Sequence, residues 1–306
     1  MTDKLDIIIP VWGEKELVPV LYNRLISVLK AMPVNYNIIY VNDACPFNSL
    51  EELEKIAVID KNAKIISFSR NFGELAAVKA GIDNSSGDYA VVMDCDLQDA
   101  PEDIPKLYNK IKEGYDVVWG ERVQRQDTLF KKFLSNMFYF VNNGLSEIKV
   151  NKKIGSFSII SKTVINELKN INSYTFNYMY SVKYLGFKEA YVPIAKNKRE
   201  IGRSGYNIIK GTAYALKVIV FSSNKPLIIP VFSIFLVLIM FLILVSALCF
   251  RMPADIFNAL ALLFIVIILG CICINISILA LYTGIINKET ADKPRYVVKS
   301  RKNFDS

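Results

Sequence analysis

The sequence predicts an α/β domain with a mostly parallel sheet and helices on both faces, followed by a two-helix transmembrane hairpin. Three observations carry this expectation. From Leu5 to Trp119, short runs rich in β-branched residues alternate with amphipathic stretches. One such run ends in the carboxylates Asp94, Asp96 and Asp99, with Pro101 close behind. Two long stretches, Leu227–Phe250 and Ala259–Tyr282, contain no charge, and each exceeds the roughly 20 residues a helix needs to cross a hydrocarbon core.

In chain order, strands are predicted near Asp6–Pro10, Asn37–Asn42, Lys64–Phe68, Tyr89–Asp94 and Asp116–Trp119. Helical spacing fills the intervals at Glu16–Ala31, Leu50–Ile59, Glu74–Asp83 and Ile104–Glu113. No G-x-G-x-x-G follows the first strand and no P-loop motif occurs, which argues against a dinucleotide dehydrogenase and a P-loop NTPase. Beyond Trp119, Thr128–Val141 reads as a basic, aromatic helix, Ser156–Ile160 as a strand and Tyr174–Leu185 as a Tyr-rich helix. The stretch Gly205–Ser222, with Lys210 and Lys217 on one helical face, fits either a helix lying in the membrane interface or one packed on the soluble domain. The expected organisation is a domain over 1–204, an interfacial region over 205–226, spans at 227–250 and 259–282, and a basic tail over 283–306.

With 306 residues, 52% of them hydrophobic, and a mean hydropathy of +0.29, the chain is too apolar for a purely soluble protein. Its net charge of +8 is placed beside the apolar runs: Lys196, Lys198, Arg199, Arg203, Lys210 and Lys217 precede them, and Lys288, Lys293, Arg295, Lys299, Arg301 and Lys302 follow. This favours anionic headgroups over nucleic acid as the partner of the charge. It also puts both flanks in the cytoplasm, with the Arg251–Asn258 loop outside. The short, interrupted apolar run at Ile7–Ile9 is no signal peptide. The five cysteines form no C-x-x-C pair and are read as reduced, with neither zinc site nor disulfide framework. The chain contains no histidine, so acid–base chemistry must use carboxylates or none.

If the fourth strand stays extended to its end, Asp94, Asp96 and Gln98 share one face at period two. Three hard oxygen donors then meet at a strand's carboxyl end, where open α/β sheets bind ligands, and suit Mg²⁺ or Mn²⁺ holding a diphosphate.

Several motifs recur in order: Ile9-Pro10-Val11-Trp12-Gly13-Glu14, Val41-Asn42-Asp43, Arg70-Asn71-Phe72-Gly73, Asp94 to Glu102, Gly120-Glu121-Arg122 and Gly202-Arg203-Ser204-Gly205-Tyr206. Over the whole chain these resemble the family 2 glycosyltransferases of the polyisoprenyl-phosphate branch, which includes dolichyl-phosphate mannose synthases and bactoprenol glucosyltransferases. The resemblance implies a GT-A-type domain on a bacterial inner membrane. There it would transfer one sugar, with inversion, from a nucleoside-diphosphate sugar, a UDP-sugar by preference, to a polyprenyl phosphate for cell-surface polysaccharide or glycan modification. It further implies that Asp43 reads the base edge, that Pro10, Trp12 and Glu14 shape the base and ribose pocket, and that Arg70 and Asn71 contact the donor. Arg122, Lys131 and Ser135 are implied to hold the lipid phosphate, and Arg199, Arg203, Ser204 and Tyr206 to close over the diphosphate. Asp96 is assigned a catalytic role through the metal.

One departure stands out. Many bactoprenol glucosyltransferases read Gly-Asp-Phe-Arg where this chain has Gly155-Ser156-Phe157-Ser158, and Ser156 cannot serve as a base. Either an anionic acceptor makes a base dispensable, or the acceptor is a lipid-linked saccharide, or the chain is a weakened membrane scaffold. A processive synthase is disfavoured because no Gln-x-x-Arg-Trp segment is present. A homo-oligomer is compatible with the sequence but not specified by it.

Overall fold

The computed structural model describes residues 2–13, 15–122, 144, 151, 153–174, 176–195, 223–250, 253–291 and 293–304. The predicted helix over 128–141 and the interfacial stretch 205–222 lie outside them. The described strands are β1 (Asp3–Val11), β2 (Val34–Asn42), β3 (Ala63–Phe68), β4 (Tyr89–Val92), β5 (Val117–Arg122), β6 (Ile154–Ser161), β7 (Glu189–Ile194) and β8 (Val298–Lys302). The helices are α1 (Leu17–Lys30), α2 (Ser49–Ile59), α3 (Glu74–Asp83), α4 (Ile104–Ile111), α5 (Lys162–Asn170), α6 (Tyr178–Leu185), α7 (Ile228–Cys249) and α8 (Ala254–Thr290). They fall into two units: the strands with α1–α6, and α7 with α8.

In the first unit all eight strands form one sheet in the order β7-β5-β6-β4-β1-β2-β3-β8. The predicted parallel core is present, with β4-β1-β2-β3 parallel throughout. β1 is buried from Leu5 to Val11, as expected of a parallel strand covered on both faces. The one carboxylate within that buried stretch, Asp6, is fully buried and held by Asn37 Nδ2 (2.7 Å), Ser85 Oγ (2.8 Å) and the N–H groups of Ser86 (2.7 Å) and Gly87 (2.8 Å). This ties the start of β1 to β2 and to the turn entering β4, and satisfies a charge that burial would otherwise penalise. Pro10 interrupts no pairing, because β4 ends at Val92 opposite Ile8 and the missing N–H falls past the end of that ladder.

The other half of the sheet departs from the parallel pattern. β6 runs antiparallel to both of its neighbours, β4 and β5, and β7 lies parallel to β5 at the edge. At the opposite edge β8 pairs antiparallel with β3. Part of the stretch expected to be a basic tail, Val298–Lys302, therefore completes the sheet. Its Lys299, Arg301 and Lys302 are the charges with which edge strands commonly avoid further pairing. Asn303, in the left-handed region (φ +60°), closes the segment by donating to the carbonyls of Ala57 (2.7 Å), Asp60 (3.2 Å) and Ala63 (2.9 Å).

In the second unit α7 and α8 are apolar enough to cross a membrane, and their large side chains are mostly exposed, as suits a lipid surround. The two pair through Phe241 and Phe264 (ring centroids 6.4 Å apart) and through Asn275 Nδ2 donating to Ser233 Oγ (3.0 Å). α8 has 37 residues and extends beyond the predicted span at both ends.

Asn303→Ala should lower unfolding stability by about 1–3 kcal/mol, since it leaves three carbonyls without their donor and puts a Cβ-bearing residue other than Asn in left-handed backbone. Asn303→Gly, which relieves the backbone but not the lost bonds, should recover part of this in a thermal or denaturant melt.

Candidate active site

The sheet topology itself assembles the site. The chain crosses from one side of β1 to the other between β3 and β4, and the carboxyl ends of β1–β4 open on one edge at this switch point. Because β6 is antiparallel to β4, its amino end with Gly155 and Ser156 lies at the same edge. Because β5 is antiparallel to β6, its carboxyl end with Arg122 does too.

The first group of residues lies on the β1, β2 and β3 ends. Asp43 is buried after β2, and its Oδ1 and Oδ2 accept the N–H groups of Phe72 (2.6 Å) and Gly73 (2.8 Å). Burial pushes the Asp43 carboxyl above its ordinary range, while these two N–H bonds and the nearby Arg70 pull it back. Gly73 has φ +96°, a conformation open to glycine, which lets both successive N–H groups turn to one carboxylate. Arg70 stacks over the Phe72 ring at 4.0 Å and its Nη1 donates to the Asn71 carbonyl (3.2 Å). Trp12 is half exposed and meets Phe47 edge-on, with centroids 6.3 Å apart. Cys45 fastens the β1 and β2 loops together: its Sγ accepts the Gly13 N–H (3.1 Å) and lies 3.1 Å from Ser49 Oγ. Pro10 stands beside Val41 in the ladder, and Glu14 lies outside the described residues.

The second group contains the carboxylates. The expected extended run through Gln98 is not what forms. β4 stops at Val92, Cys95 and Asp96 turn, and Leu97 takes φ +58°. Two forces account for this: Asp96 Oδ1 accepts the Gln98 N–H (3.1 Å), an Asx-type turn, while Met93, Cys95 and Leu97 are drawn into the core. Asp94 and Asp96 remain close enough to repel each other, but Gln98 does not join them through strand alternation. Burial first, and then the negative charge of Glu74, Asp99 and Asp96, pushes the Asp94 carboxyl up to about 7, and a hydrogen bond from Ser156 Oγ (3.2 Å) only partly offsets this. Among the described residues, no three His, Cys, Asp or Glu side chains converge as a ready cation cage.

Arg122 supplies the opposing charge. Its Nη2 lies 3.6 Å from the fully buried Asp99, and the guanidinium lies over Gly155, where an added Cβ would meet Nη2 at 2.6 Å. A side chain at this position would make the guanidinium shift from where it lies. Lys131, Ser135, Arg199, Arg203, Ser204 and Tyr206 lie outside the described residues.

The sequence reading missed Glu74, Asp99 and Gly155 as members of this cluster. Glu74 was legible as the residue after Arg-Asn-Phe-Gly and Asp99 as part of the carboxylate run. Gly155 acquires its meaning only from the pairing of β6 with β5.

Comparison with known proteins agrees with this architecture. Residues 6–169 match the model of the family described as Glycosyl transferase family 2. The chain is 30% identical over 305 residues to a bactoprenol glucosyl transferase of Shigella phage SfX, covering 98% of this chain and 100% of the relative. It is 28% identical over 310 residues to the undecaprenyl-phosphate 4-deoxy-4-formamido-L-arabinose transferase of Proteus mirabilis, covering 97% and 93%. The fold is shared with a mannosyltransferase from Pyrobaculum calidifontis solved in complex with GDP-Man and Mn²⁺, with a TM-score of 0.50 and 11% identity over 96% of this chain and 89% of that one. The matched segment holds every described site residue from Pro10 to Ser156, and with near-full-length relatives on both sides of it the chain belongs to glycosyl transferase family 2, in the polyisoprenyl-phosphate branch that its motifs resemble.

Proposed function

We propose that this glycosyltransferase moves one sugar, with inversion, from a nucleoside-diphosphate sugar, a UDP-sugar in our reading, to a polyprenyl phosphate at the cytoplasmic face of a bacterial membrane. The observation that carries the reading is the shared sheet edge, where the loops after β1–β3 adjoin a carboxylate cluster and an arginine at the ends of β4–β6. The names of the relatives support the lipid-phosphate acceptor, and the Mn²⁺ and GDP-Man of the archaeal neighbour support a nucleotide sugar with a divalent cation.

The donor set suits Mg²⁺ or Mn²⁺. Asp94 and Asp96 are hard oxygen donors crowded by like charge, and such cations are commonly held by one or two carboxylates together with substrate phosphates. Asp94 and Asp96 would hold the ion, with Gln98 as an adjacent oxygen, and the chemistry available there would be Lewis-acid stabilisation of the departing diphosphate. Asp43, Pro10, Trp12 and Glu14 take the base and ribose, and Arg70 and Asn71 the donor. Arg122, with Lys131 and Ser135, orients the acceptor phosphate. Arg203, Ser204 and Tyr206 close over the diphosphate. The acceptor oxygen is anionic before it attacks, so no base is required, and Ser156 serves Asp94 as a hydrogen-bond donor.

β8 follows the second apolar helix yet pairs in the sheet that precedes the first. This supports a hairpin with both ends on one side, and the basic flanks support the cytoplasm as that side. Reporters placed before Met1 and after Ser306 should both report cytoplasm; opposite sides would exclude a two-span hairpin.

Asp94 gives a stability test of the metal assignment. In the unfolded chain a carboxyl releases its proton near pH 4, but folded Asp94 keeps it to about 7. The native state therefore holds the extra proton between these values, and stability falls as pH rises through that window. In metal-free full-length protein, Asp94→Asn should raise the melting temperature at pH 8. Mn²⁺ should raise it for the wild type and not for the variant, and transfer should be lost. A variant melting like the wild type, with and without Mn²⁺, would remove Asp94 from the cation site.

Arg122→Ala should reduce lipid-linked sugar formed per minute by about 30-fold or more, the cost of losing one partner of a buried charge-assisted contact, while nucleotide affinity changes little. Equal losses in both would move Arg122 to the donor site. Ser156→Asp should give no gain, because it adds another carboxylate beside Asp94. A large rate increase there would point instead to an acceptor hydroxyl on a lipid-linked saccharide.

A further inference from the structure

Tyr296, which follows the second apolar helix, heads an aromatic column that ends at the proposed donor loop. The Tyr296 ring stacks on Phe68 at 5.1 Å and 18°, and Phe68 meets Phe72 edge-on at 5.6 Å and 86°. Phe72 is the residue whose N–H donates to Asp43 and whose ring carries Arg70. The Val297 carbonyl accepts the Ser69 N–H (3.0 Å), just where the β3–β8 register shifts between Ser67 and Phe68. Tyr296 also donates its hydroxyl to Asp83 (2.8 Å), the last residue of α3, the helix that begins directly after Gly73. Residues 296 and 297 thus grip the Arg70–Gly73 loop from β3 and the helix behind it from its far end.

We propose that Tyr296 is a positioning residue for donor binding: it sets the β3–α3 loop so that the Phe72 and Gly73 N–H groups lock Asp43 and Arg70 projects over Phe72. This rests on the donor reading given above. A plain edge strand needs only backbone pairing, and β8 already has it through Ser300–Lys302. The ring stack and the hydroxyl bond are additional, and both are directed at the loop and its helix. Stacked aromatic pairs contribute enough for loss of the ring to shift a coupled equilibrium by about three- to tenfold.

The test uses full-length protein in detergent with Mn²⁺, titrated with whichever of UDP and GDP the wild type binds, and melted in parallel. Asn303→Ala, at the other end of the same segment and away from the loop, is the control for a purely structural effect. Tyr296→Ala should weaken nucleotide binding and raise donor KM by about three- to tenfold, with kcat at saturating donor little changed. Asn303→Ala should lose at least as much melting temperature with nucleotide affinity within about twofold of wild type. Tyr296→Leu, which fills the space without a ring face, should behave as Tyr296→Ala does, and Tyr296→Phe should restore most of the affinity. Wild-type affinity in Tyr296→Ala and Tyr296→Leu, or losses that track melting temperature across all variants, would overturn the proposal. Asp43→Asn separates the two readings. If it weakens nucleotide binding while the Tyr296 variants do not, only the positioning role falls; if it leaves binding intact, the donor reading falls with it.

Discussion

The placement of β6, antiparallel between β4 and β5, is the constraint on which the reactive half of the site depends. Were β5 to pair with β4 in the ordinary parallel manner, the carboxylate run and Arg122 would stand on adjacent strands with nothing between them. With β6 inserted, Ser156 reaches Asp94, and Gly155 leaves a slot for the Arg122 guanidinium beside Asp99. One strand thereby supplies a hydrogen-bond donor to the acid and a surface for the guanidinium, while its backbone from Ser158 to Ile160 remains paired on both sides. The proposed division between a cation-holding subsite and an anion-holding one follows from that insertion.

The cluster is organised against its own stability. Burial, and then the negative charge of Glu74, Asp99 and Asp96, raises the Asp94 carboxyl above its ordinary range. Asp6 offers the contrast within the same sheet: it is more deeply buried, yet a ring of donors satisfies it completely and makes it a structural tie. Two carboxylates, one within β1 and one just past the end of β4, thus differ because one is fully supplied with N–H and O–H groups and the other is surrounded by more acid. Sites that bind cations commonly accept such local cost.

Much of the fold could be read from the sequence because parallel strands covered on both faces leave continuous apolar runs, and β1 to β4 were found within a few residues of their ends. β8 was not legible: Val-Lys-Ser-Arg-Lys is a charged edge strand whose pairing is fixed by the backbone and by Tyr296 and Asn303, not by apolar periodicity. β7 alternates buried and exposed residues and carried a usable signal that went unread. At the site, residue types announced the carboxylates and the arginine, but not their geometry. A leucine in left-handed backbone at position 97 has no local signature, and it ends the period-two face on which the three-donor arrangement relied.

The closure of the sheet by β8 also orders events during synthesis. β8 leaves the ribosome only after both apolar helices have emerged. Until then the β3 edge has open backbone groups and the aromatic face of Phe68 lacks its cover, the condition under which nascent sheets associate wrongly. Completion of the sheet is thus deferred until both apolar helices have been made, so a chain halted before that point carries an unfinished sheet edge.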